Sequence, residues 1–362
     1  MRFSETWSDD PGFDIAGAED VELPTFPASV LFCVGRVTDM ARLILTSTDS
    51  GAGCLLRAGV ADIVIPLGFR FVWDALPSDA KLEAMWGPGS LDHFPQHRLG
   101  EFHSKGMGAL DLCERCETVE LWFDPAPNAQ LMLAHLLDCL SSRENIVSKL
   151  TLFQADADMS QQSPERISEW KPPGVRIRRE HLEAASLAWL AYRQPTPQHW
   201  VDLLDKDISA LPQLRPTVLE LLEELPQPAT GRGATEMRML ELVAAGDATP
   251  FDIFRRHQKR NARRVFSYLE AGALLDGLAY SSVPAVAGLE EGPFTDEMHA
   301  DQGRYARYRQ SKLSLTALGE AVLAQAEDFS RHNPIHRWWG GTELTNVNLW
   351  RWDTAGRCLV TP

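Results

Sequence analysis

What the chain lacks narrows its chemistry before any motif does. Its 362 residues contain no run of eighteen or more apolar residues, so the sequence offers no candidate for a membrane-spanning helix. The opening Met1-Arg-Phe-Ser-Glu-Thr-Trp-Ser-Asp-Asp10 lacks the basic start and apolar stretch of a secretion signal, and a cytoplasmic protein is expected. Positive charge is scarce: 35 Lys and Arg face 50 Asp and Glu, a formal net charge of −15. That balance argues against indiscriminate binding to nucleic acid or anionic lipid, although a local basic patch can override it. The six cysteines are scattered, which excludes a disulfide framework. Cys113-Glu-Arg-Cys116 is the one close pair, and no second Cys/His pair at ligand spacing accompanies it. Reduced, metal-free thiols are therefore expected. Gly-x-x-x-x-Gly-Lys-Ser/Thr, Gly-x-Ser-x-Gly, His-Glu-x-x-His and Gly-x-Gly-x-x-Gly are all missing. Their absence removes the common ATPase, α/β-hydrolase, zinc-protease and dinucleotide signatures, and no cofactor is assigned.

What is present, 44% apolar and 23% charged residues, suits two or three domains with a real core. Residues 1–30 hold Glu5, Asp9, Asp10, Asp14, Glu19, Asp20 and Glu22 against Arg2 alone, which reads as an acidic, weakly ordered extension. Residues 43–45 read as a buried strand, residues 52–58 as the following helix, and residues 61–66 as a second strand. Further strands are expected at 118–123 and 149–153, with a helix over 128–141 between them. Strands alternating with helices predict a Rossmann-like parallel α/β domain over 31–160. A helical connecting region spans 161–230, punctuated by Pro195, Pro197, Pro212 and Pro216. Three short helices are then expected at 235–245, 250–257 and 259–271. A strand follows that runs into Leu315-Thr316-Ala-Leu-Gly319, an order that predicts a winged-helix-like domain over 231–362. Such a module serves protein partners as readily as DNA.

The densest signal is C-terminal. Trp338, Trp339, Trp350 and Trp352, four of the eleven tryptophans, fall with Arg337 and Arg351 within sixteen residues. The runs Asn333-Pro-Ile-His-Arg-Trp-Trp-Gly-Gly341 and Trp350-Arg-Trp-Asp353 resemble the end of the bacterial DUF1835-containing proteins, which typically read Asn-x-Ile-Asp-Arg-Trp-x-Gly-Gly and Trp-Arg-Trp-Asp. The stretch 209–226 and the helix opening Gly231-Arg-Gly-Ala-Thr235-Glu236 are similar too. The resemblance implies a bacterial protein and brings no assigned chemistry.

It does point to positions. Where that family has a strand ending in His-x-x-Asn-Gly-Asp-Ser, this chain reads Ile44-Leu-Thr-Ser47-Thr48-Asp49-Ser50: the Asp-Ser pair is kept and the His, Asn and Gly are replaced. Where the family reads Leu-Trp-Phe-Glu-His-Asp before a Gln-containing helix, Asp124 and Gln130 remain while Pro125 and Ala126 replace the other two. Asp74 matches the Asp of the family's Trp-Arg-Asp-Val-Leu.

Physical chemistry gives these positions a use of their own. A strand-to-helix turn of small residues leaves backbone N–H groups free at the positive end of a helix, where a phosphate or carboxylate can settle. Gly51 and Gly53 allow close approach. The plainer alternative is that Asp49 or Ser50 merely caps the helix. The main expectation is recognition of a small anionic, phosphate- or nucleotide-like ligand by Ser47, Thr48, Asp49, Ser50, Gly51, Gly53, Asp124 and Gln130, with catalysis absent or weak. One alternative is a hydrolase or transferase using Asp49, Asp74 and Asp124, with His93, His97 or His103 as its imidazole. The same three acids could take a divalent cation through oxygen ligands, but no metal is assigned.

Another alternative is a DNA-binding regulator. The run Arg255-Arg-His-Gln-Lys-Arg-Asn-Ala-Arg-Arg264 would overlap the recognition helix and set Lys259, Arg260, Arg263 and Arg264 on phosphates. Nucleic acid is disfavoured as a partner because the acidic loop 290–297 would face the same backbone and repel it. The Trp/Arg cluster reads either as a stacking platform or as a closing motif in which Arg351 pairs with Asp353.

Overall fold

The computed structural model describes residues 42–61, 63–91, 106–154, 159, 163–170, 172–246, 249–260 and 263–362. The acidic extension expected over 1–30 and the histidines His93, His97 and His103 lie outside them. The protein is mixed α/β, and the chain divides into two compact units.

The first unit comprises Met1–Phe69, Pro77–Asp124 and Leu140–Arg178. It opens with β1 (Arg42–Thr46), α1 (Asp49–Arg57) and β2 (Ile63–Pro66), followed by α2 (Asp79–Ala84), α3 (Ala109–Arg115) and β3 (Thr118–Phe123). The chain then runs through α4 (Pro127–Leu140), which belongs to the second unit except for its last residue. It returns through α5 (Glu144–Val147), β4 (Leu150–Gln154), α6 (Pro164–Glu169) and β5 (Val175–Arg176). The five strands form one sheet in the order β2-β1-β3-β4-β5. The first four are parallel and β5 pairs antiparallel to β4.

Leu43, Ile44 and Leu45 are all fully buried, as expected of a central parallel strand with both faces covered. The edges of β1 and β3 are tied by Arg42, whose guanidinium donates to both oxygens of Glu120 at 2.7 and 2.8 Å. One face packs Ile44, Ala52, Leu55, Val64, Met159 and Ile167 around Trp122, which stacks on Phe153 with 4.9 Å between ring centroids. The chain passes from β1 to β2 on one side and comes back to β3 on the other, so the direction of the strand order reverses between β1 and β3.

The second unit comprises Arg70–Leu76, Pro125–Cys139 and Arg179–Pro362. Its helices are α7 (Arg179–Tyr192), α8 (Gln198–Asp202), α9 (Leu214–Glu223), α10 (Ala234–Ala244), α11 (Pro250–Arg260) and α12 (Tyr268–Ala279). They are followed by β6 (Val286–Ala287), α13 (Gln302–Gln310), β7 (Ser314–Leu315) and α14 (Ala317–Leu323). Two hairpins close the chain, β8 (His336–Trp339) with β9 (Thr342–Thr345) and β10 (Arg351–Asp353) with β11 (Cys358–Val360). The short segment Arg70–Leu76 is woven into this unit. Asn128 Oδ1 accepts from Phe71 N at 2.8 Å, Tyr192 donates to Phe71 O, and Arg70 pairs with Glu270.

Two expectations are corrected here. The third helix of the trio begins at Tyr268, not at residue 259, because Ser267 and Glu270 form a reciprocal capping box that fixes the start. The basic run therefore lies on α11 and the connection after it. Arg351 does not pair with Asp353. It donates to Asp328 at 2.7 Å and to Gln227 O, while Asp353 accepts from Ala355 N and Gly356 N in the β10–β11 turn.

The terminal Trp/Arg motif is a closure. Trp339 Nε1 donates to Leu221 O, and Arg337 reaches both Glu236 and Glu224 O. The paired glycines are steric: a Cβ on Gly341 would meet Arg193 O at 2.0 Å.

Candidate functional site

The polar residues singled out around β1 and β3 fall at the carboxyl ends of these two parallel strands. Thr46 lies opposite Trp122 in the register, so Ser47 and Asp124 leave neighbouring strands at nearly the same height. The Ser47 hydroxyl donates to Asp124 Oδ2 at 2.7 Å, and Asp124 Oδ1 accepts from Met159 N at 2.8 Å. Asp124 is only 3% exposed. Each carboxylate oxygen thus has a donor, which is what a buried carboxylate requires.

The turn feeds α1. Thr48 is the N-cap, in extended conformation, and its Oγ1 accepts from Gly51 N at 3.1 Å. The cap is therefore Thr48 rather than Asp49 or Ser50. Asp49 is exposed in the first helical turn, where a negative charge is favourable to the helix dipole. Gly51 is buried, and a Cβ there would come within 2.9 Å of Thr48 Oγ1, 3.6 Å of Thr46 Oγ1 and 3.7 Å of Met159 Cβ. Gly53 is less confined: a Cβ would meet only Arg57 Nη1 at 3.8 Å.

Sequence reasoning missed Thr46 and Met159. Thr46 is wholly buried, and among the described residues its hydroxyl has no hydrogen-bond partner. Its sequence signal is a hydroxyl closing an otherwise apolar strand. Met159 acts through its backbone N–H, which leaves no residue-type signal.

Asp74 and Gln130 belong to the second unit. Asp74 is exposed with φ at 60°, and Gln130 is buried on α4. Among the described residues no three His, Cys, Asp or Glu side chains gather closely enough to hold a metal ion. Cys113 and Cys116 are buried thiols outside any disulfide, and burial first, with the neighbouring Cys116 second, pushes the Cys113 thiol up to about 12.

The basic run has a mixed fate. Arg263 is engaged within the second unit, donating to Glu220 at 2.7 Å, to Thr217 Oγ1 at 3.0 Å and to Gln213. Arg264 is half-buried in the connection after α11, and Lys259 and Arg260 are the penultimate and last residues of α11. The third helix of the trio, α12, contains no Lys or Arg. In the acidic loop, Glu291 pairs with Arg307, and Arg304 donates to the carbonyls of Glu291 and Pro293.

No family model matches the chain, and no curated protein matches it.

Proposed function

We propose that the first unit is a Rossmann-like domain that recognises a small anionic molecule, phosphate- or nucleotide-like, above the carboxyl ends of β1 and β3, with little or no catalysis. The observation that carries this reading is the Ser47–Asp124 lock at the place where the strand order reverses. Open α/β sheets bind ligands in the crevice at such a reversal. Two further features support it. The first turn of α1 presents backbone N–H groups of a nine-residue helix, and the Thr46 hydroxyl, unpartnered among the described residues, lies beside Gly51 at that same end. Both Asp124 oxygens are already engaged, which favours a positioning role over that of a general base.

On this reading Thr48, Ser50 and the first N–H groups of α1 meet the ligand, and Asp124 holds Ser47 and Met159 in place. The helices α10 to α12 with the β6–β7 pair are then a winged-helix-like module, and the chain is a divergent relative of the DUF1835-containing proteins. A third helix without cations supports a docking role for that module over reading DNA bases through α12.

Thermal unfolding with inorganic phosphate, adenosine monophosphate and magnesium chloride tests the proposal. A ligand at a hundredfold excess over its Kd stabilises the fold by about 2.7 kcal/mol. Stabilisation by phosphate or the nucleotide is expected in the parent protein and reduced in Thr46→Val. No stabilisation by either anion would overturn the reading.

A further inference from the structure

The β6–β7 pair leaves one edge of β7 without a strand. Among the described residues β6 is its one strand neighbour, with Leu315 opposite Val286 and Ser314 opposite Ala287. The bond from Thr316 N to Ala285 O, 3.0 Å long, fixes which positions of this antiparallel pair exchange hydrogen bonds. Bonded and non-bonded positions alternate along such a pair, so Ser314 and Thr316 turn their backbone groups toward β6 and Leu315 turns its N–H and C=O away from it. Among the described residues neither group of Leu315 has a hydrogen-bond partner.

A groove of about 540 Å³ runs along that edge, between Val243 and Ala244 of α10, Leu315 of β7, and Glu320 and Leu323 of α14. Its lining side chains are aliphatic except for Ser314 and Glu320, which are both exposed. Glu320 has no ion-pair partner among the described residues. Glu241, exposed and three residues before Ala244, adds a second negative charge on that side of α10. Lys312, exposed just before Leu313, lies outside the lining.

These features select an occupant. A helix spends its backbone groups on itself and cannot meet those of Leu315, and a small apolar molecule would take water from them without pairing them. An extended segment satisfies the edge and fills the aliphatic walls together. We infer that the groove between α10, β7 and α14 takes an extended, basic segment of a partner protein, which adds to β7 as a third strand of the β6–β7 sheet. Its backbone pairs with Leu315, its aliphatic side chains pack on Val243 and Leu323, and a lysine or arginine reaches Glu320. The inference depends neither on the winged-helix reading of this unit nor on the anion proposed for the sheet unit.

Fluorescence anisotropy with the full chain tests it, using a labelled peptide of about eight residues that alternates valine and lysine, long enough for one strand. The parent should bind this peptide with a Kd below about 1 mM, and its glutamate-for-lysine counterpart at least about tenfold more weakly. N-methylation separates strand addition from other modes of docking. Only alternate N–H groups of an added strand face β7, so methylating one alternate set should abolish binding and methylating the other should leave it within about threefold. Glu320→Lys should weaken the lysine peptide at least about threefold and tighten the glutamate one. Leu315→Pro, which removes the outward N–H, should weaken binding about tenfold, and if thermal unfolding shows that it does not fold, Glu320→Lys and the methylated peptides decide. No binding by about 1 mM, equal loss in the two methylated peptides, equal affinity for the two charges or unchanged binding in Glu320→Lys would overturn the inference. So would a dimer in sedimentation velocity that the peptide dissociates, because it would give the groove to a second copy of this chain.

Discussion

Ser47 and Asp124, 77 residues apart in sequence, share a buried O–H···O hydrogen bond of 2.7 Å that fastens the turn after β1 to the end of β3. Removing the acceptor strands two buried donors, Ser47 Oγ and Met159 N, and each unsatisfied group costs about 1–3 kcal/mol. Asp124→Ala should therefore lower the urea unfolding free energy by about 3 kcal/mol or more, and Ser47→Ala by about 1 kcal/mol. Equal losses in the two variants would show that Asp124 does not hold both donors.

The two glycines of α1 should behave oppositely. Gly51→Ala places a methyl 2.9 Å from Thr48 Oγ1, so either the cap or the turn must shift, at a cost of about 1 kcal/mol. Gly53→Ala meets nothing closer than 3.8 Å and should stabilise the helix by about 0.5–1 kcal/mol. Thermal unfolding of the pair checks both signs together.

Much of the sheet was legible because its strands are short apolar runs between turn residues. β3 is found at its expected bounds, and β1 and β4 to within a residue or two. The third helix of the trio was misplaced because the residues after Arg260 include helix formers, whereas Ser267 with Glu270 sets the boundary by hydrogen bonding. The partner of Arg351 was misassigned because proximity in sequence favours Asp353, while the fold brings Asp328 to it. At the candidate site, Ser47 and Asp124 were visible as residue types. The unpartnered Thr46 hydroxyl and the Met159 N–H depend on tertiary placement, which no spacing encodes.

Asp328 and Asp353 should respond differently to replacement of the groups around them. Asp328 is buried, and Arg351→Ala would leave its carboxylate without its cation, a loss of about 3–5 kcal/mol for a broken buried pair. Asp353 accepts from the backbone N–H groups of Ala355 and Gly356 in an exposed turn, and Asp353→Ala should cost about 1 kcal/mol or less. Chemical denaturation of the two variants separates the assignments.

Acid–base behaviour gives a prediction with a definite sign. Burial pushes Glu224 up from 4.5 to about 7, against the hydrogen bonds from Thr235 and the charge of Arg337. Its contribution to stability is full below 4.5 and declines as pH rises through about 7. His135 and His257 run the other way. Burial lowers each from 6.5 to about 4, so their contribution is present above 6.5 and declines as pH falls through about 4. Glu224→Gln should therefore make stability rise more steeply with pH between 4.5 and 7 than it does in the parent, as measured by urea midpoints across that range.

The thiols should separate by accessibility. Cys358 is exposed, whereas Cys54, Cys113 and Cys116 are buried and Cys113 is held up at about 12. A maleimide should modify Cys358 in the folded protein and reach Cys113 only after unfolding, as read by peptide mass spectrometry.

The partition of the chain bears on how this protein can be taken apart. Its path changes unit five times, after residues 69, 76, 124, 139 and 178, so neither unit is a single stretch of sequence. Scission at any one peptide bond, by a protease or by a cloning boundary, cannot release an intact half. A fragment ending at residue 178 would keep the whole sheet together with Phe71, Trp73 and the apolar helix α4, yet lack Tyr192, Trp189 and Phe266, which pack against Phe71 and Trp73. Such a fragment would expose the apolar surface that Tyr192, Trp189 and Phe266 cover in the whole chain, and should aggregate.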